Sequence, residues 1–364
     1  MLIIVLIFLL HFIFGLIVEN LSGRFVSLFF NIFLFALILV FSVGVTYTAD
    51  WQMYYWFFKY EEDTTDKVYY SLTLLFKKWG LSFEDLFKFH IVAINVLYYF
   101  LIRKFTRNYF YVMLVFVVIN YVHSVNQLRF FLGLPIIQIG FYYLLYKRNL
   151  LISLPLLVLG VLCHSALVLL LILIPMFYIS QQKYLKKILV ATAVSSVIIL
   201  IALKTGLMAI LLHFSAYFED DATSSFLGGL FNAFPYIIYI TFLYIENKKM
   251  IKIFPEYEND KLYQYLYKLT FFPVIFIPPA FVAPVLGHRY VIPFIVIWVI
   301  FYLYIIKGLN HKQRFTKFLV FMMIHIIVTC FYYIFPDFIA KDNHYLHELD
   351  VMLKSINYLK SFYY

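Results

Sequence analysis

The sequence predicts an all-α, polytopic integral membrane protein, a helical bundle of about eleven or twelve transmembrane helices. Of its 364 residues, 64% are hydrophobic and only 13% are charged, and the mean hydropathy is +0.89. A soluble domain has about a quarter of its residues charged. Apolar runs of about 17 to 25 residues, the length that crosses a bilayer, recur along the chain. The excess apolar surface therefore requires hydrocarbon as its solvent, and we interpret 1–364 as a single membrane domain.

The predicted spans follow one another with short links. The N-terminal run 2–18 has no basic segment before it and no small-residue cleavage site, so we expect a retained helix and leave open whether it crosses the membrane. The run 150–179 is too long for one ordinary helix and has basic clusters at both ends. It predicts a hairpin of two short helices with its tip near His164. The other predicted spans are 25–46, 86–102, 109–122, 130–146, 188–203, 227–245, 262–281, 290–306 and 318–335.

The basic residues predict the orientation of these spans. The formal net charge is +10, yet most of the 29 lysines and arginines lie in alternate short links between apolar runs. This distribution indicates topology determination and not nucleic acid binding, and the positive-inside rule places those links in the cytoplasm. The opposite, external side then holds an amphipathic aromatic loop at 47–85, an acidic loop at 204–226 and a C-terminal tail at 336–364. The tail is polar enough to form an amphipathic helix.

Two kinds of function are disfavoured by what the sequence contains. Both cysteines, Cys163 and Cys330, lie within apolar stretches, which predicts neither a disulfide framework nor a CxxC metal site. The cytoplasmic links are too short for a nucleotide-binding fold, and there is no GxxxxGK[ST] segment. These features argue against ATP-driven transport by this chain alone.

Ionisable residues at helix ends give the candidates for a functional site, because such groups at membrane depth mark functional sites by default. Each has a structural alternative: an arginine can snorkel to lipid head groups, a histidine can be a hydrogen-bonded packing residue, and an aspartate can cap a helix. Taken together on one predicted face, they indicate a wet cavity open to the outside. The candidates are Asp50, Arg129, His164, His288 and Arg289.

This set of residues has a consistent chemical use. The guanidinium groups of Arg129 and Arg289 match the oxygens of a diphosphate. His164 or Asp50 can serve as general base for a sugar hydroxyl. No DxD pair and no His and carboxylate cluster with metal-ligand spacing occurs among the predicted external residues, so no metal or other cofactor is expected. The residues predicted to contact sugars are Trp51, Tyr54, Gln127 and His288.

Three segments resemble the EpsG-like, Wzy-type polysaccharide polymerases, and their order and spacing match over most of 45–310. The first runs from Asp50-Trp51-Gln52-Met53-Tyr54 to Lys78-Trp79-Gly80-Leu81-Ser82-Phe83. The second is the helix start Asn126-Gln127-Leu128-Arg129-Phe130-Phe131-Leu132-Gly133. The third is the hairpin tip Leu162-Cys163-His164-Ser165-Ala166-Leu167.

The chain departs from the family pattern at a few positions. The usual Arg-Gln pair is replaced by a glutamine, Gln127, two residues before Arg129, and Cys163 stands where Phe is usual. Asp66 and the two residues after it replace a Glu-Pro pair. The resemblance therefore carries over to Arg129 and His164 and does not extend to Gln127 or Asp66.

The resemblance implies a GT-C-like membrane glycosyltransferase. It would join undecaprenyl-diphosphate-linked oligosaccharide repeats, without a metal, into O-antigen, capsule or exopolysaccharide. The active site would face the periplasm or exterior of a bacterial inner (plasma) membrane. The implied partners are the lipid-linked donor and acceptor, the lipid bilayer and, optionally, a chain-length regulator.

Two alternatives from other classes remain open. One is a flippase or other secondary transporter of lipid-linked oligosaccharide, although the sequence lacks the matching halves typical of that class. The other is an O-antigen ligase or a membrane acyltransferase. A ligase typically has its large external loop late in the chain, whereas the larger predicted loop here, 47–85, is early.

Overall fold

The computed structural model describes residues 24–61, 66–205, 226–282, 284–333 and 344–356, and every regular element in these ranges is helical. The first helices are α1 (Arg24–Val43), α2 (Trp51–Tyr60), α3 (Lys67–Lys78), α4 (Phe83–Arg103), α5 (Tyr109–Asn126), α6 (Leu128–Phe141), a π-helical turn (Tyr142–Tyr146), α7 (Leu150–Cys163) and a 3₁₀ helix (Ser165–Ile172). They are followed by α8 (Leu173–Phe177), α9 (Gln181–Thr205), α10 (Phe226–Ile253), α11 (Lys261–Phe271), α12 (Ile277–Val282), α13 (Pro284–Tyr290), α14 (Ile295–Ile305), α15 (His311–Tyr333) and α16 (His344–Ser355). Further 3₁₀ helices cover Pro255–Asn259, Phe272–Phe276 and Ile292–Phe294.

Several of these helices suit a membrane. Four segments are long and apolar enough to cross a bilayer: Phe83–Arg103, Leu128–Tyr146, Gly228–Ile253 and His311–Phe331. Shorter apolar helical segments cover Leu28–Val43, Tyr111–Asn126, Leu150–Cys163, Ser165–Phe177 and Ile292–Ile305. The predicted all-helical membrane fold is thereby confirmed. The number of eleven or twelve crossings stays a prediction.

The described residues form two compact units. Unit 1 contains those up to Ile172 and those from His344 onward, and unit 2 contains those between Leu173 and Asn343. The functional residues of each unit are considered within that unit.

Helix α6 is the centre of unit 1. Apart from Arg129 its residues are buried, and it packs against α4 and α7. Glycines permit the contact with α7: a Cβ on Gly133 would lie 2.6 Å from the carbonyl oxygen of Gly160, and a Cβ on Gly160 would lie 2.3 Å from Cγ1 of Ile137. Small residues let helix backbones approach closely in membranes. The close packing sets the position of the N-terminus of α6 relative to the C-terminus of α7.

The opposite face of α7 is apolar and exposed. Leu151 is 89% exposed, and Leu154 and Val158 are also exposed on this helix. Such a surface is stable against lipid chains and would be costly in water. The exposure pattern therefore agrees with a membrane environment for unit 1.

Two helices occupy the predicted loop 47–85. α2 and α3 are short, and α3 packs against α4 and α7. The chain then starts α4 with a capping box, in which the Ser82 side chain accepts from the Asp85 N–H at 3.3 Å and the Asp85 carboxylate accepts from the Ser82 N–H at 2.9 Å. The loop is therefore a folded part of unit 1. Its external location stays a prediction.

In unit 2, α11 and α14 pack against each other, and the Trp298 indole N–H donates to the Thr270 carbonyl at 3.0 Å. Prolines interrupt the predicted spans 262–281 and 290–306, because Pro273 and Pro293 each stand in a 3₁₀ helix. Each of these two predicted spans therefore consists of several short helical segments and not of one continuous helix.

Within the predicted hairpin at 150–179, α7 ends at Cys163 and a second helical segment begins at Ser165 as a 3₁₀ helix, so the helix breaks at the predicted tip. The antiparallel arrangement of the two arms stays a prediction. The predicted tail 336–364 contains the helix α16, and its external location stays a prediction. The run 2–18 and most of the acidic loop 204–226 lie outside the described residues.

Candidate functional site

Three helix boundaries meet in unit 1 and carry the candidate site. Asp66 directly precedes α3, Arg129 is the second residue of α6, and His164 follows α7. α5 and α6 separate at Gln127, whose backbone leaves the helical region (φ −93°, ψ 59°). His164 is extended (φ −155°, ψ 113°), so the chain leaves α7 there before the 3₁₀ helix starts. The side chains of these three residues converge where the boundaries meet.

The Asp66 carboxylate lies at the centre of this cluster. Its Oδ2 forms an ion pair with Nη1 of Arg129 at 2.8 Å and accepts a hydrogen bond from Nδ1 of His164 at 2.9 Å. Its Oδ1 accepts from the backbone N–H of Ser165 at 2.9 Å. One carboxylate thereby joins the starts of α3 and α6 to the end of α7. We call Asp66, Arg129 and His164 the Asp–Arg–His cluster.

The cluster is buried. Asp66 is 1% exposed, His164 is 6% exposed, and the Arg129 side chain is 14% exposed. Burial by itself would raise the pKa of Asp66, but the hydrogen bond from His164 and the charges of His164 and Arg129 outweigh it, so that the pKa is lowered from its usual value. Asp66 is therefore a carboxylate at neutral pH.

This ionisation state fixes the tautomer of His164. A carboxylate oxygen cannot donate, so Nδ1 of the imidazole carries the proton shared with Asp66. In the neutral ring the lone pair then resides on Nε2, which is the nitrogen able to accept a proton from another group. Phe130 packs edge-on against the imidazole, with ring centroids 5.7 Å apart. Asp66 and Phe130 together hold the ring in one orientation.

Aromatic rings surround the Arg129 guanidinium. Its Cζ lies 5.3 Å from the ring centroid of Tyr54, 5.3 Å from that of Phe57 and 5.8 Å from that of Tyr69. The Tyr69 hydroxyl donates to the backbone carbonyl of Tyr54 at 3.0 Å, which fixes α3 against α2. Burial raises the pKa of Tyr54, and the Arg129 charge lowers it only in part. Burial also raises the pKa of Tyr69, so both tyrosines are neutral. Arg129 is held by ring faces on one side and by Asp66 on another.

Asp50, predicted as an alternative general base, is joined to the end of α5 through its main chain. Its backbone N–H donates to the side-chain oxygen of Asn126 at 2.7 Å, at the end of α5. Its carboxylate acts on Tyr54, whose pKa it raises. The observed hydrogen bond orients the start of α2, and the role of the carboxylate as a base stays a prediction.

Of the residues predicted to contact sugars, Tyr54 lies in the aromatic wall around Arg129, and Gln127 stands at the α5–α6 break beside it. Trp51 packs against Phe83 and Phe87, with ring centroids 4.8 and 4.5 Å apart. Trp51 is therefore packed against two aromatic rings of α4. Sugar binding by these three residues stays a prediction.

Arg289 and His288 belong to α13 in unit 2. Arg289 is half-buried, and the His288 side chain lies outside the described residues. Tyr290 stacks on Phe276, with centroids 4.9 Å apart, and Gly287 packs so tightly on Tyr236 that a Cβ would lie 2.5 Å from its hydroxyl oxygen. α13 is thereby fixed within its own unit. Diphosphate binding by Arg289 and sugar binding by His288 stay predictions.

Two site residues, Asp66 and Tyr69, were not among those singled out from the sequence. A signal for them exists: Tyr69, Thr73 and Phe76 are the buried residues of α3, and with Asp66 one turn earlier they form a stripe with helical spacing. The stripe predicts which face of α3 is buried, and it places Asp66 on that face.

Within the described ranges, no three His, Cys, Asp or Glu side chains converge as the ligands of a metal ion would. The expected independence from metal rests on the sequence and stays a prediction.

Comparison with known proteins gives one match. Residues 27–347 match the model of the EpsG family, which covers most of the chain, including the Asp–Arg–His cluster and α13. No curated protein and no solved structure matches the chain.

Proposed function

This chain belongs to the EpsG family, and we propose that it is a polysaccharide polymerase of the Wzy type. The family is linked to exopolysaccharide synthesis, and the candidate membrane spans fit a multi-pass membrane protein. The proposed reaction joins undecaprenyl-diphosphate-linked oligosaccharide repeats at the external face of the membrane. The observation that carries the proposal is the buried Asp–Arg–His cluster, in which one carboxylate orients a histidine and an arginine.

In this proposal His164 is the general base. The carboxylate of Asp66 holds the proton on Nδ1, so Nε2 can accept the proton of an acceptor hydroxyl. Asp66 also stabilises the imidazolium that forms, as the aspartate of a Ser-His-Asp triad does. Asp66 is thus a positioning residue, because it acts through His164.

Arg129 supports the departure of the diphosphate. The Arg129 guanidinium has five N–H donors in a fixed plane. Nη1 pairs with Asp66 at 2.8 Å and the Tyr54 side chain accepts a hydrogen bond, and we propose that donors beyond these two contacts bind phosphate oxygens. With His164 neutral, the charges of Asp66 and Arg129 cancel. When His164 takes the acceptor proton, the cluster gains a net positive charge as negative charge develops on the leaving group. Stabilisation of this kind favours the transition state over the bound substrate.

The proposed step balances without a redox partner. A bond forms between the acceptor hydroxyl oxygen and the anomeric carbon of the growing chain's reducing-end sugar. The bond from that carbon to the diphosphate oxygen breaks, and its electron pair leaves with undecaprenyl diphosphate. The hydroxyl proton passes to His164 and then to solvent. The residues assigned by sequence alone keep their proposed roles: Arg289 as a second diphosphate ligand, and Trp51, Tyr54, Gln127 and His288 as sugar contacts.

The test replaces His164 by asparagine in the full-length protein and follows the surface polysaccharide on gels. We expect long chains to disappear while a single-repeat glycolipid persists, because assembly and export of one repeat do not need the polymerase. Polysaccharide of normal length at wild-type protein amounts would disprove the role of His164.

A matched control is available in unit 2. His325 is also fully buried, and its Nδ1 hydrogen-bonds to the Tyr239 hydroxyl. His325→Asn should lower the amount of folded protein and leave the chain-length distribution unchanged. A loss of long chains in both variants that follows the amount of folded protein would indicate that instability, and not loss of the base, is the cause.

The alternative classes give different intermediates when the chain is deleted. Without a polymerase, one repeat remains on the lipid core. Without a ligase, the core carries none, and without a flippase, the lipid-linked repeat stays at the cytoplasmic face. The deletion therefore separates the proposed polymerase from both alternatives before any point variant is made.

A further inference from the structure

Unit 2 contains a cavity of about 880 Å³ that has no part in the proposed reaction. It is formed by the start of α9, the end of α10, the 3₁₀ helix Pro255–Asn259 and the first turns of α11. We call it the lysine cavity. The lining residues that determine its charge and shape include Lys186, Lys248, Lys252, Tyr244, Tyr263 and Tyr267.

The wall of the lysine cavity is fixed by hydrogen bonds. The Tyr263 hydroxyl donates to the side-chain oxygen of Asn247 at 2.8 Å, and both residues are buried. The Gln264 side chain donates to the carbonyl of Glu258 at 2.7 Å. Since these contacts lie within the wall, its shape does not depend on an occupant, as is usual for binding sites.

The charge of the cavity favours an anion. Three lysines line it, and Glu258 is the acidic side chain among its lining residues. Lys248 Nζ lies 4.7 Å from the ring centroid of Tyr244, which positions the ammonium beside the cavity. The nearby carboxylate of Glu246 accepts from Lys249 at 3.0 Å and from Lys317 at 2.5 Å, so it is already neutralised by lysines outside the lining.

A helix terminus adds to this charge. Ser180, Gln181 and Gln182 line the cavity, and α9, a helix of 25 residues, begins at Gln181. Backbone N–H groups at a helix N-terminus carry partial positive charge and bind phosphate oxygens readily. The lysines and the N-terminus of α9 thus both favour a phosphate-bearing ligand.

The position of the cavity indicates that this phosphate belongs to a lipid. Leu189 lines the cavity and is exposed, and Val190 and Val194 continue the exposed apolar surface along α9. On α10, the exposed Ile245 lies less than one turn from the cavity lysine Lys248. Lysines next to exposed apolar helix surface are typical of the head-group level of a membrane. The positive-inside rule predicts this end to be cytoplasmic.

We infer that the lysine cavity binds the phosphate-bearing head group of an anionic membrane lipid. Basic pockets between membrane helices on the cytoplasmic side bind such head groups. The acyl chains would lie along the apolar surface of α9, and the phosphate would contact the lysines. This inference is independent of the polymerase proposal, since it concerns residues that have no role in the proposed reaction.

The test measures lipid binding to the purified full-length protein by native mass spectrometry. Phosphatidylglycerol is the anionic probe, phosphatidylethanolamine is the zwitterionic comparison, and glycerol phosphate is the soluble anion. The cavity variant is Lys186→Gln, Lys248→Gln, Lys252→Gln. The matched control, with the same change in charge at the same end of unit 2 and outside the lining, is Lys183→Gln, Lys187→Gln, Lys261→Gln.

We expect the cavity variant to bind the first phosphatidylglycerol at least about tenfold more weakly than the control variant, because each lysine near a head group contributes to binding. Equal affinities of the two variants, whether both reduced or both unchanged, would overturn the inference. Glycerol phosphate bound as tightly as phosphatidylglycerol would show a site for soluble phosphate and would also overturn it.

A pair of single variants keeps the test decisive if the triple variants are unstable. Lys252→Glu reverses one cavity charge, and Lys187→Glu reverses one charge on α9 outside the lining. Both side chains are exposed, so folding should be retained in each. A loss of phosphatidylglycerol binding in Lys252→Glu alone supports the inference, and equal binding in the two contradicts it.

Discussion

Replacing Asp66 by asparagine is the most direct perturbation of the proposed site. Asparagine has the shape of aspartate but no charge, and its amide group can donate where the carboxylate only accepts. Arg129 would then be buried beside a neutral partner. His164 could take the opposite tautomer, with its proton on Nε2, and would lose its ability to accept from an acceptor hydroxyl.

The observed contacts allow the effect of this substitution on stability and on chain extension to be estimated. Removing one partner of a buried ion pair costs about 3–5 kcal/mol of unfolding free energy, because the other charge is left buried. The 2.8 Å contact with Arg129 and the 1% exposure of Asp66 meet that condition. In Ser-His-Asp triads, the same change from aspartate to asparagine lowers kcat by about 10⁴-fold through the wrong tautomer. We therefore expect a fall of at least about 10²-fold in chain extension together with lower stability.

The assay needs to separate these two effects. Polysaccharide chain length is compared on gels at equal amounts of membrane-inserted protein, and thermal unfolding is measured on protein purified in detergent. Glu246→Gln is the matched control, since Glu246 is a buried carboxylate in unit 2 that binds Lys249 and Lys317. It should lower the unfolding temperature comparably and preserve long chains.

Two results would refute the reasoning. Long chains made by Asp66→Asn at wild-type protein amounts would show that the orientation of His164 is not needed. Equal loss of long chains in Asp66→Asn and Glu246→Gln would show that stability alone determines the outcome. Loss confined to Asp66→Asn supports its positioning role.

Three further predictions concern the same unit. Arg129→Lys should shorten the chains at least about tenfold on gels, because an ammonium lacks the planar donors that reach Asp66 and a diphosphate together. Gly160→Ala should lower the stability by about 1–3 kcal/mol in thermal unfolding, because the new Cβ would lie 2.3 Å from Cγ1 of Ile137. The pKa of Asp66 is lowered in the folded protein from 3.8, so its contribution to stability is present above about pH 4 and is lost as the pH falls below that value through the folded pKa. Fluorescence-detected acid unfolding should therefore lose more stability below pH 4 in the wild type than in Asp66→Asn.

The sequence predicted Arg129 and His164 because both are ionisable groups next to apolar runs. A charged group at membrane depth costs free energy and therefore marks a functional site. It did not predict Asp66 as a site residue. Asp66 follows an acidic stretch that includes Glu61 and Glu62, and local polarity suggests a solvated loop. Its burial results from contacts with Arg129 and His164, which lie far away in the sequence, and no local pattern records them.

The C-terminal end of helix α10 also could not be predicted from local sequence. Hydropathy ends the predicted span at 245, whereas the helix continues to Ile253. The additional turns contain Glu246 and Asn247, which are buried because Lys317 binds the carboxylate and Tyr263 donates to the amide oxygen. From the sequence alone, a polar residue is predicted to be exposed. It can be buried when a residue on another helix forms a hydrogen bond or an ion pair with its side chain.

The Asp–Arg–His cluster lies at helix boundaries whose positions are fixed by other contacts. Arg129 and His164 lie at the ends of α6 and α7, and the glycine contacts between these helices fix those ends relative to each other. Asp66 then joins α3 to both ends through two hydrogen bonds and one ion pair, so that α3 and the ends of α6 and α7 are held together. Because Asp66 and His164 are buried, little water competes for these contacts. One carboxylate contacts all three groups, which is why we regard Asp66 as the residue on which the geometry of the proposed base depends.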